Sequence, residues 1–310
     1  MTAMQHYHRV VPDLNIIIVT YNSADVIQDL LESLPPALGQ LTADVVVVDN
    51  ASADGTAELL SAREDCRVVR SANVGYAGGI NRGVQQAQPA EAILILNPDV
   101  RLSEGSVEPM LETLRTPGTG LVVPQLRSSE GTIEPSLRRA PTVLRALGLS
   151  GTGAAALSEH VHASDIQSYA EPHPVDWATG AVVLMSRICF DLLGGWDESF
   201  FLYSEETDVC LRARDAGLAT RYEPRAVAVH IGGGSGRSDI THTMQVVNRV
   251  RLYRRRNRAP ASWLYYGVIT AGELSHAVRG RRQSRFAVAA LLRPSLRPAE
   301  LGCSDRLLPR

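Results

Sequence analysis

The chain contains no lysine; all 31 of its basic side chains are arginine. Cysteine is scarce as well. The four present, Cys66, Cys189, Cys210 and Cys303, fall in no CxxC or Cys/His spacing. That excludes a zinc-finger or disulfide framework and predicts reduced thiols in a cytoplasmic chain. No run reaches the ~20 apolar residues a spanning helix needs. The N-terminal MTAMQHYHRVVPD has no apolar h-region, so no signal peptide is expected. What remains is 310 residues at 45% hydrophobic, enough to bury a full α/β core with an appendage.

The formal charge of −2 hides an asymmetry. Residues 249–310 carry 14 arginines against three acids, a net of +11, which leaves −13 for residues 1–248. Two arginine blocks, 249–258 and 279–285, flank the apolar, aromatic WLYYGVI. This pattern predicts a basic helical surface for anionic lipid. No nucleic-acid fold signature accompanies it, and no nucleic-acid partner is expected.

The first 240 residues alternate strand and helix patterns. Strands are expected at 15–20 (NIIIVT), 44–48, 66–70, 92–96 (AILIL), 121–124, 175–186 (VDWATGAVVLMS) and 226–230. Helices are expected after Ser23 (a side-chain cap) until Pro35-Pro36 stops the first, then at 56–62, 77–87, 106–114, 186–197 and from Ser204 onward. Residues 150–174 predict a mobile surface loop. Unbroken Val/Ile/Leu runs mean strands covered on both faces, as in parallel sheets, where ligands bind beyond the strand carboxyl ends. Polar residues stand at those ends: Tyr21-Asn22, Asp49-Asn50, Asn73 and Asn97-Pro98-Asp99. The expected fold class is α/β, a mostly parallel, Rossmann-like sheet flanked by helices, with a C-terminal helical basic extension. The expected divisions are a tail at 1–13, one domain at 14–237 with halves meeting near 125, and the extension at 238–310.

Several motifs carry chemistry. Asp49 follows a buried strand, where its carboxylate can accept from a base edge or ribose; DN, SAD and DG are equally turn chemistry. NVGYAGGINRG (73–83) offers glycines for close approach and Asn amides, without the GxGxxG dinucleotide spacing. Asp99 is a single carboxylate at a strand end, which suits Mg2+ or Mn2+ held largely by substrate phosphates. His230 ends a strand and precedes Gly-rich IGGGSG, whose N–H groups can cradle phosphate.

In order, TYN, VDNASADGT, NVGYAGGINRG, LNPDV, WATGAVVLMSR, GGWDESFFLYSEETDVCLRARDAG and VHIGGGSGR resemble the family 2 glycosyltransferases with the GT-A fold, most closely their bacterial rhamnosyltransferase branch. The resemblance covers residues 15–237. It implies an inverting transferase that moves a sugar, L-rhamnose from dTDP-L-rhamnose, onto a glycan or polyprenyl-diphosphate-linked acceptor at the cytoplasmic face of the membrane. It also implies roles. Val19, Tyr21 and Asp49 form the nucleobase pocket; Asn73, Gly75 and Asn81 contact the donor; Asp99 and His230 hold metal or diphosphate; Trp177 and Gly180 lie on the acceptor side. Where many members have Asp-x-Asp, this chain has Asn97-Pro98-Asp99. Two other readings stay open, a sugar nucleotidyltransferase and a non-catalytic nucleotide-sugar-binding protein. The first calls for a Gly-rich basic loop after strand one, where this chain has TYNSAD.

Transfer needs a base for the acceptor hydroxyl. Glu205, Glu206 and Asp208 crowd the first turn of one helix. With Ser204 as its side-chain N-cap, Glu206, Val209, Cys210 and Ala213 share an apolar face. Glu205 falls with Asp208 and Arg212 on a charged stripe, and Asp208–Arg212 is an i,i+4 pair. This spacing, and the family's use of the second acid of such a pair, name Glu206 as base, with Glu205 and Asp208 supporting it.

Overall fold

The computed structural model describes residues 11–147, 157–162, 164–232 and 238–302. Strands and helices alternate through β1 (Leu14–Thr20), α1 (Ile27–Leu38), β2 (Ala43–Asn50), α2 (Thr56–Ser61), β3 (Arg67–Ser71), α3 (Gly75–Gln86) and β4 (Ala92–Leu96). There follow β5 (Val100–Leu102), α4 (Val107–Leu114), β6 (Thr119–Arg127), β7 (Leu137–Arg138), α5 (Val143–Ala146), α6 (Ile166–Ala170), β8 (His173–Val175) and β9 (Trp177–Ala178). The remainder is β10 (Val182–Ser186), α7 (Arg187–Leu193), α8 (Glu205–Asp215), β11 (Ala219–His230), α9 (Asp239–Arg256), α10 (Ala259–Val278) and α11 (Arg282–Leu292).

One sheet runs β3-β2-β1-β4-β10-β6-β11-β5, with β8 added on β11. Its first four strands are parallel. β10 then inserts antiparallel between β4 and β6, and β11 returns parallel to β6. The N-terminal half is therefore wholly parallel and the other half mixed. The registers fix one functional rim. Val182 pairs with Leu96, so the start of β10 meets the end of β4. His230, at the end of β11, pairs with Val100 just beyond Asp99.

Both faces of the sheet are covered, as the unbroken apolar strands require. α1 and α4 pack Leu30, Leu31, Met110 and Leu111 on one face. On the other, α3, α7 and α8 bring Ile80, Cys189, Val209 and Cys210. The described cysteines, Cys66, Cys189 and Cys210, are free thiols. α3 lies close on β1: a Cβ added at Gly79 would stand 2.6 Å from Val19 Cγ1. A third cluster joins α9, α10 and α11 to Phe201, Leu202 and Tyr203.

Several local expectations are corrected. Pro35 and Pro36 do not stop α1, which runs to Leu38; the Gly39 N–H closes it on the Pro35 carbonyl, and the Pro36 carbonyl accepts from Gly105. Tertiary packing within the last turn overrides the two lost donors. Ser23 caps through its carbonyl, which accepts from Val26 and Ile27, and not through its side chain. The single strand expected over 175–186 is three short ones, because β8 pairs with β11, β9 with β7 and β10 with β4 and β6. β11 begins seven residues before the expected strand at 226, with a register shift between Glu223 and Val227 around Pro224. Within the loop expected at 150–174, Ser158, Val161 and Tyr169 are buried among the described residues, and Tyr169 bonds Leu137 and Val161. Residues 233–237 of the glycine-rich turn, Cys303 and residues 148–156 lie outside the described residues.

Candidate active site

Loops at the β1 and β2 ends are zipped together. The Asn22 N–H donates to Ser52 Oγ, Ala53 N–H to Asn22 Oδ1 and Ala24 N–H to Asp54 Oδ2. Asp49 is buried between them and accepts from Thr20 Oγ1 at 3.2 Å and from the Ser52 N–H at 3.3 Å. Tyr21 is 54% exposed, and Val19 is buried. Asn73 Oδ1 accepts from the Gly75 N–H at the start of α3.

Asn81 does something other than the expected donor contact. Its Nδ2 donates to the Trp196 carbonyl and to Glu198 Oε1, both at 2.9 Å, and its Oδ1 accepts from the Trp196 N–H. With the amide so engaged, Asn81 is a strut between α3 and the GGWDE turn.

Asp99 lies 7% exposed in the turn after β4. His230 Nε2 is 3.6 Å from Asp99 Oδ1, and Nδ1 is 3.0 Å from Glu134 Oε2. Burial works against the imidazolium, but the two flanking carboxylates outweigh it and raise His230 to about 10. Carboxylate oxygen and imidazole nitrogen suit Mn2+ or Mg2+, and a carboxylate on the far ring nitrogen is the arrangement that orients a ligating histidine. Among the described residues no group of three or more His, Cys, Asp or Glu forms a self-sufficient cage. Phosphate oxygens of a substrate would have to complete such a site.

α8 carries the acids, and its entry is strained. Phe201, Tyr203 and Ser204 have φ of 57°, 68° and 76°. Ser204 occupies the N-cap position as expected, but its left-handed backbone turns the side chain away; its carbonyl accepts from Asp208 instead. The face assignment is corrected too. Glu205 is 3% exposed, deeper than the partly buried Glu206, and its Oε2 has no partner. Burial and the neighbouring Glu206 raise Glu205 well above the carboxylate range. Burial also raises Glu206, to about 6; N–H groups at the helix start and the Arg138 guanidinium resist it. Asp208 pairs with Arg212 at 2.6 Å as the spacing predicts, and Arg212 also holds the Leu193 and Gly195 carbonyls. Asp208 therefore fixes the GGWDE turn and does not reach the cleft as a second acid.

Gly180 lies against Glu206: a Cβ there would stand 3.2 Å from Glu206 Cβ. Gly180→Ala is expected to push the glutamate by a few tenths of an ångström and lower kcat about tenfold. Its φ is not in the left-handed region, so the melting temperature should stay near wild type. Steady-state rates beside a thermal melt check this. Trp177 donates Nε1–H to the Arg139 carbonyl, and Arg138 lies 5.9 Å over its ring.

A tyrosine connects the halves. Tyr76 donates to the Gly180 carbonyl at 3.3 Å, and burial together with Glu205, Asp99 and Glu206 holds its hydroxyl protonated. Arg138 feels both Glu206 and Glu134. Glu206 packs on Gly180, and the adjacent Ala181 carbonyl accepts from the Asn97 N–H two residues before Asp99, so both acids lie near the β4–β10 junction. Sequence reasoning missed Glu134 and Arg138, which sit in GTIEPSLRRAP without a recognisable spacing. Tyr76 stood inside a quoted motif with no role assigned.

A family model described as "Glycosyl transferase family 2" matches residues 15–155. An N-acetylglucosaminyl-diphospho-decaprenol L-rhamnosyltransferase of Mycobacterium tuberculosis is 30% identical over 245 residues, covering 74% of this chain and 80% of that protein. A low-salt glycan biosynthesis hexosyltransferase, Agl10, of Haloferax volcanii is 29% identical over 209 residues, covering 65% and 62%. Among solved structures, GalNAc-T7 with UDP, GalNAc and Mn2+ superposes with TM-score 0.60 at 15% identity over 79% of this chain and 48% of its own. The mannosyltransferase PcManGT of Pyrobaculum calidifontis, with GDP-Man and Mn2+, gives 0.55 at 16% over 93% and 82%. The GT-A fold is thus shared, and the chain is a glycosyltransferase that belongs to glycosyl transferase family 2.

Proposed function

We propose that this protein is an inverting transferase that moves L-rhamnose from dTDP-L-rhamnose to a polyprenyl-diphosphate-linked saccharide in cell-envelope glycan synthesis. The observation that carries the reading is the junction at Gly180: Glu206 packs on it, Tyr76 donates to its carbonyl, and the next carbonyl, of Ala181, accepts from Asn97 beside the Asp99–His230 pair. The M. tuberculosis relative supplies the sugar and the acceptor class.

The nucleotide lies over Val19 and Tyr21, with Asp49 accepting from the base or ribose. Asp99 and His230, with Glu134 behind, would hold Mg2+ or Mn2+ through the donor's phosphates. When bound, the metal neutralises charge developing on the leaving diphosphate. Glu206 accepts the proton of the acceptor hydroxyl, which attacks the anomeric carbon from the face opposite the diphosphate. Trp177, buried beneath Arg138, supports the acceptor side from below, and Arg138 holds Glu206 as the carboxylate. The test is direct: protein, dTDP-L-rhamnose, MnCl2 and a polyprenyl-diphosphate-GlcNAc acceptor should give rhamnosylated lipid. Asp99→Asn should cost at least ~10²-fold. Equal turnover of UDP- or GDP-sugars would overturn the donor assignment, and turnover unaffected by chelation would overturn the metal.

The lipid-facing surface is narrower than the arginine count implies. Arg249 is bonded to Tyr265 and Glu159, Arg251 is buried, Arg255 pairs with Asp197 and Arg256 with Asp215. Most of the first arginine block thus secures α9 to the domain. The outward face of α10 is different. Trp263, Leu264, Leu274 and Val278 are 53%, 58%, 51% and 80% exposed, with Arg258 at one end and Arg279, Arg281 and Arg285 exposed at the other. No helix among the described residues is long and apolar enough to cross a membrane. This face would lie in the interface of an anionic leaflet, a peripheral position on the cytoplasmic side. Trp263→Glu with Leu274→Glu should weaken binding to phosphatidylglycerol vesicles at least ~10-fold while turnover of a short-chain acceptor persists. Undiminished vesicle sedimentation would place the membrane contact elsewhere.

A further inference from the structure

The segment that delivers Glu205 and Glu206 is held from behind by the C-terminal extension. It turns through the left-handed region at Phe201, Tyr203 and Ser204, none of them glycine. Such a path is unfavourable for L-residues and persists only where surrounding contacts over-determine it. Each carbonyl along it is accounted for. Arg251 Nη1 donates to Ser199 O at 2.9 Å. Asn248 Nδ2 faces Phe200 O at 2.6 Å, Leu202 O at 2.9 Å and Tyr203 O at 3.1 Å. The Tyr76 N–H takes Phe201 O at 2.7 Å, and the Asp208 N–H takes Ser204 O.

Asn248 is wholly buried, and its Oδ1 accepts from Arg251 Nη1, which fixes the amide with Nδ2 toward the loop. Arg251 and Arg255 also lie over the Phe200 ring, at 5.6 and 4.9 Å. Two side chains of α9 therefore supply most of the donors that this strained turn needs. The other two come from Tyr76 at the start of α3 and from Asp208 within α8.

We infer that Asn248, oriented by Arg251, is a positioning residue: it clamps the 199–204 turn so that Glu206 stands at the acceptor hydroxyl, and thereby makes the C-terminal extension part of the active site. This rests on Glu206 being the base. It predicts that the extension cannot be removed as a separate membrane anchor without loss of catalysis.

Asn248→Asp keeps the size and the acceptor for Arg251 but turns a carboxylate toward three carbonyl oxygens. The expected result in the full chain is a native far-UV spectrum and a KM for the nucleotide-sugar within about threefold of wild type. kcat should fall about 10- to 100-fold, the scale of a sub-ångström to 1 Å misplacement, and the acid limb of its pH profile should move toward that of an exposed glutamate. Arg256→Ala removes a tie from the same helix that touches no carbonyl of the turn, and should leave kcat unchanged. A folded Asn248→Asp with wild-type kcat and pH profile overturns the clamp. Transfer surviving in Glu206→Gln would instead remove the base assignment, so the two failures are distinguishable. Wild-type hydrogen exchange tests the clamp without any variant. Amides of 201–208 and of 244–252 should open together, with one shared urea dependence, and independent rapid opening of 201–208 would refute it.

Discussion

Glu206→Gln should lower kcat by about 10³-fold, within the range expected for loss of a positioned general base, while nucleotide affinity stays close to wild type. The amide preserves shape and cannot accept the hydroxyl proton. Asp49, proposed to anchor the nucleotide, lies near the end of β2 and is bonded to Thr20 and Ser52. The pH dependence follows from the same burial. Glu206 must be ionised to act, and its pKa lies near 6, so kcat/KM should rise with pH through about 6 and then level. Stability runs the other way. The ordinary value is 4.5, so the native state holds the proton more tightly than the unfolded chain. That contribution is complete below 4.5 and is lost as pH rises through about 6. Glu206→Gln should therefore gain stability over wild type above pH 6, where the wild type has to bury a charge. A melting series from pH 4 to 8 beside the rate profile reads both. A variant that stays active, or a wild-type rate flat from pH 5 to 8, would take the base role away from Glu206.

The sequence made the parallel half of the fold legible because a strand covered on both faces leaves an unbroken apolar run. β1, β2 and β4 appear where NIIIVT, DVVVV and AILIL stand. The mixed half was harder. β9 and the start of β11 are short or polar, and their pairing partners lie far along the chain. For the acids, helical spacing put Glu206 on the apolar face and Glu205 on the charged stripe, whereas Glu205 is the deeper of the two. Spacing reports which face of α8 a residue occupies, whereas depth depends on what the rest of the chain lays over that face. Glu205 is buried at the start of α8, and its charge acts on Tyr76 of α3. The same limit explains Asn81 and the arginines of α9. Their chemistry was visible as residue type, but Trp196, Glu198, Asp197 and Asp215 claim it first. Glu134 and Arg138 reach the cleft through a bridge to β6 and a two-stranded pairing with β9, and neither leaves a local pattern.

Gly75→Ala should be the most damaging substitution of a single methyl group. Gly75 has φ of 78°, where an L-residue costs roughly 1–2 kcal/mol. The added Cβ would overlap the Phe201 carbonyl oxygen and stand 2.7 Å from the carbonyl carbon. These are backbone atoms of the turn already fixed by Asn248 and Arg251, so neither partner has a side chain that can swing aside. Overpacking of this kind adds about 1–3 kcal/mol, for a total of roughly 2–5 kcal/mol against a native stability of about 5–15 kcal/mol. Relief requires moving the turn, and moving it breaks the Tyr76 N–H to Phe201 bond and displaces Glu205 and Glu206 with it. The variant should thus lose both stability in urea and, in whatever fraction stays folded, transfer rate normalised to folded protein. The second readout is the informative one. A loss of stability with an intact specific rate would mean that α3 and α8 touch at this point without sharing a geometry. A joint loss means that the donor-side helix and the base-bearing helix are held in register through the one carbonyl between them.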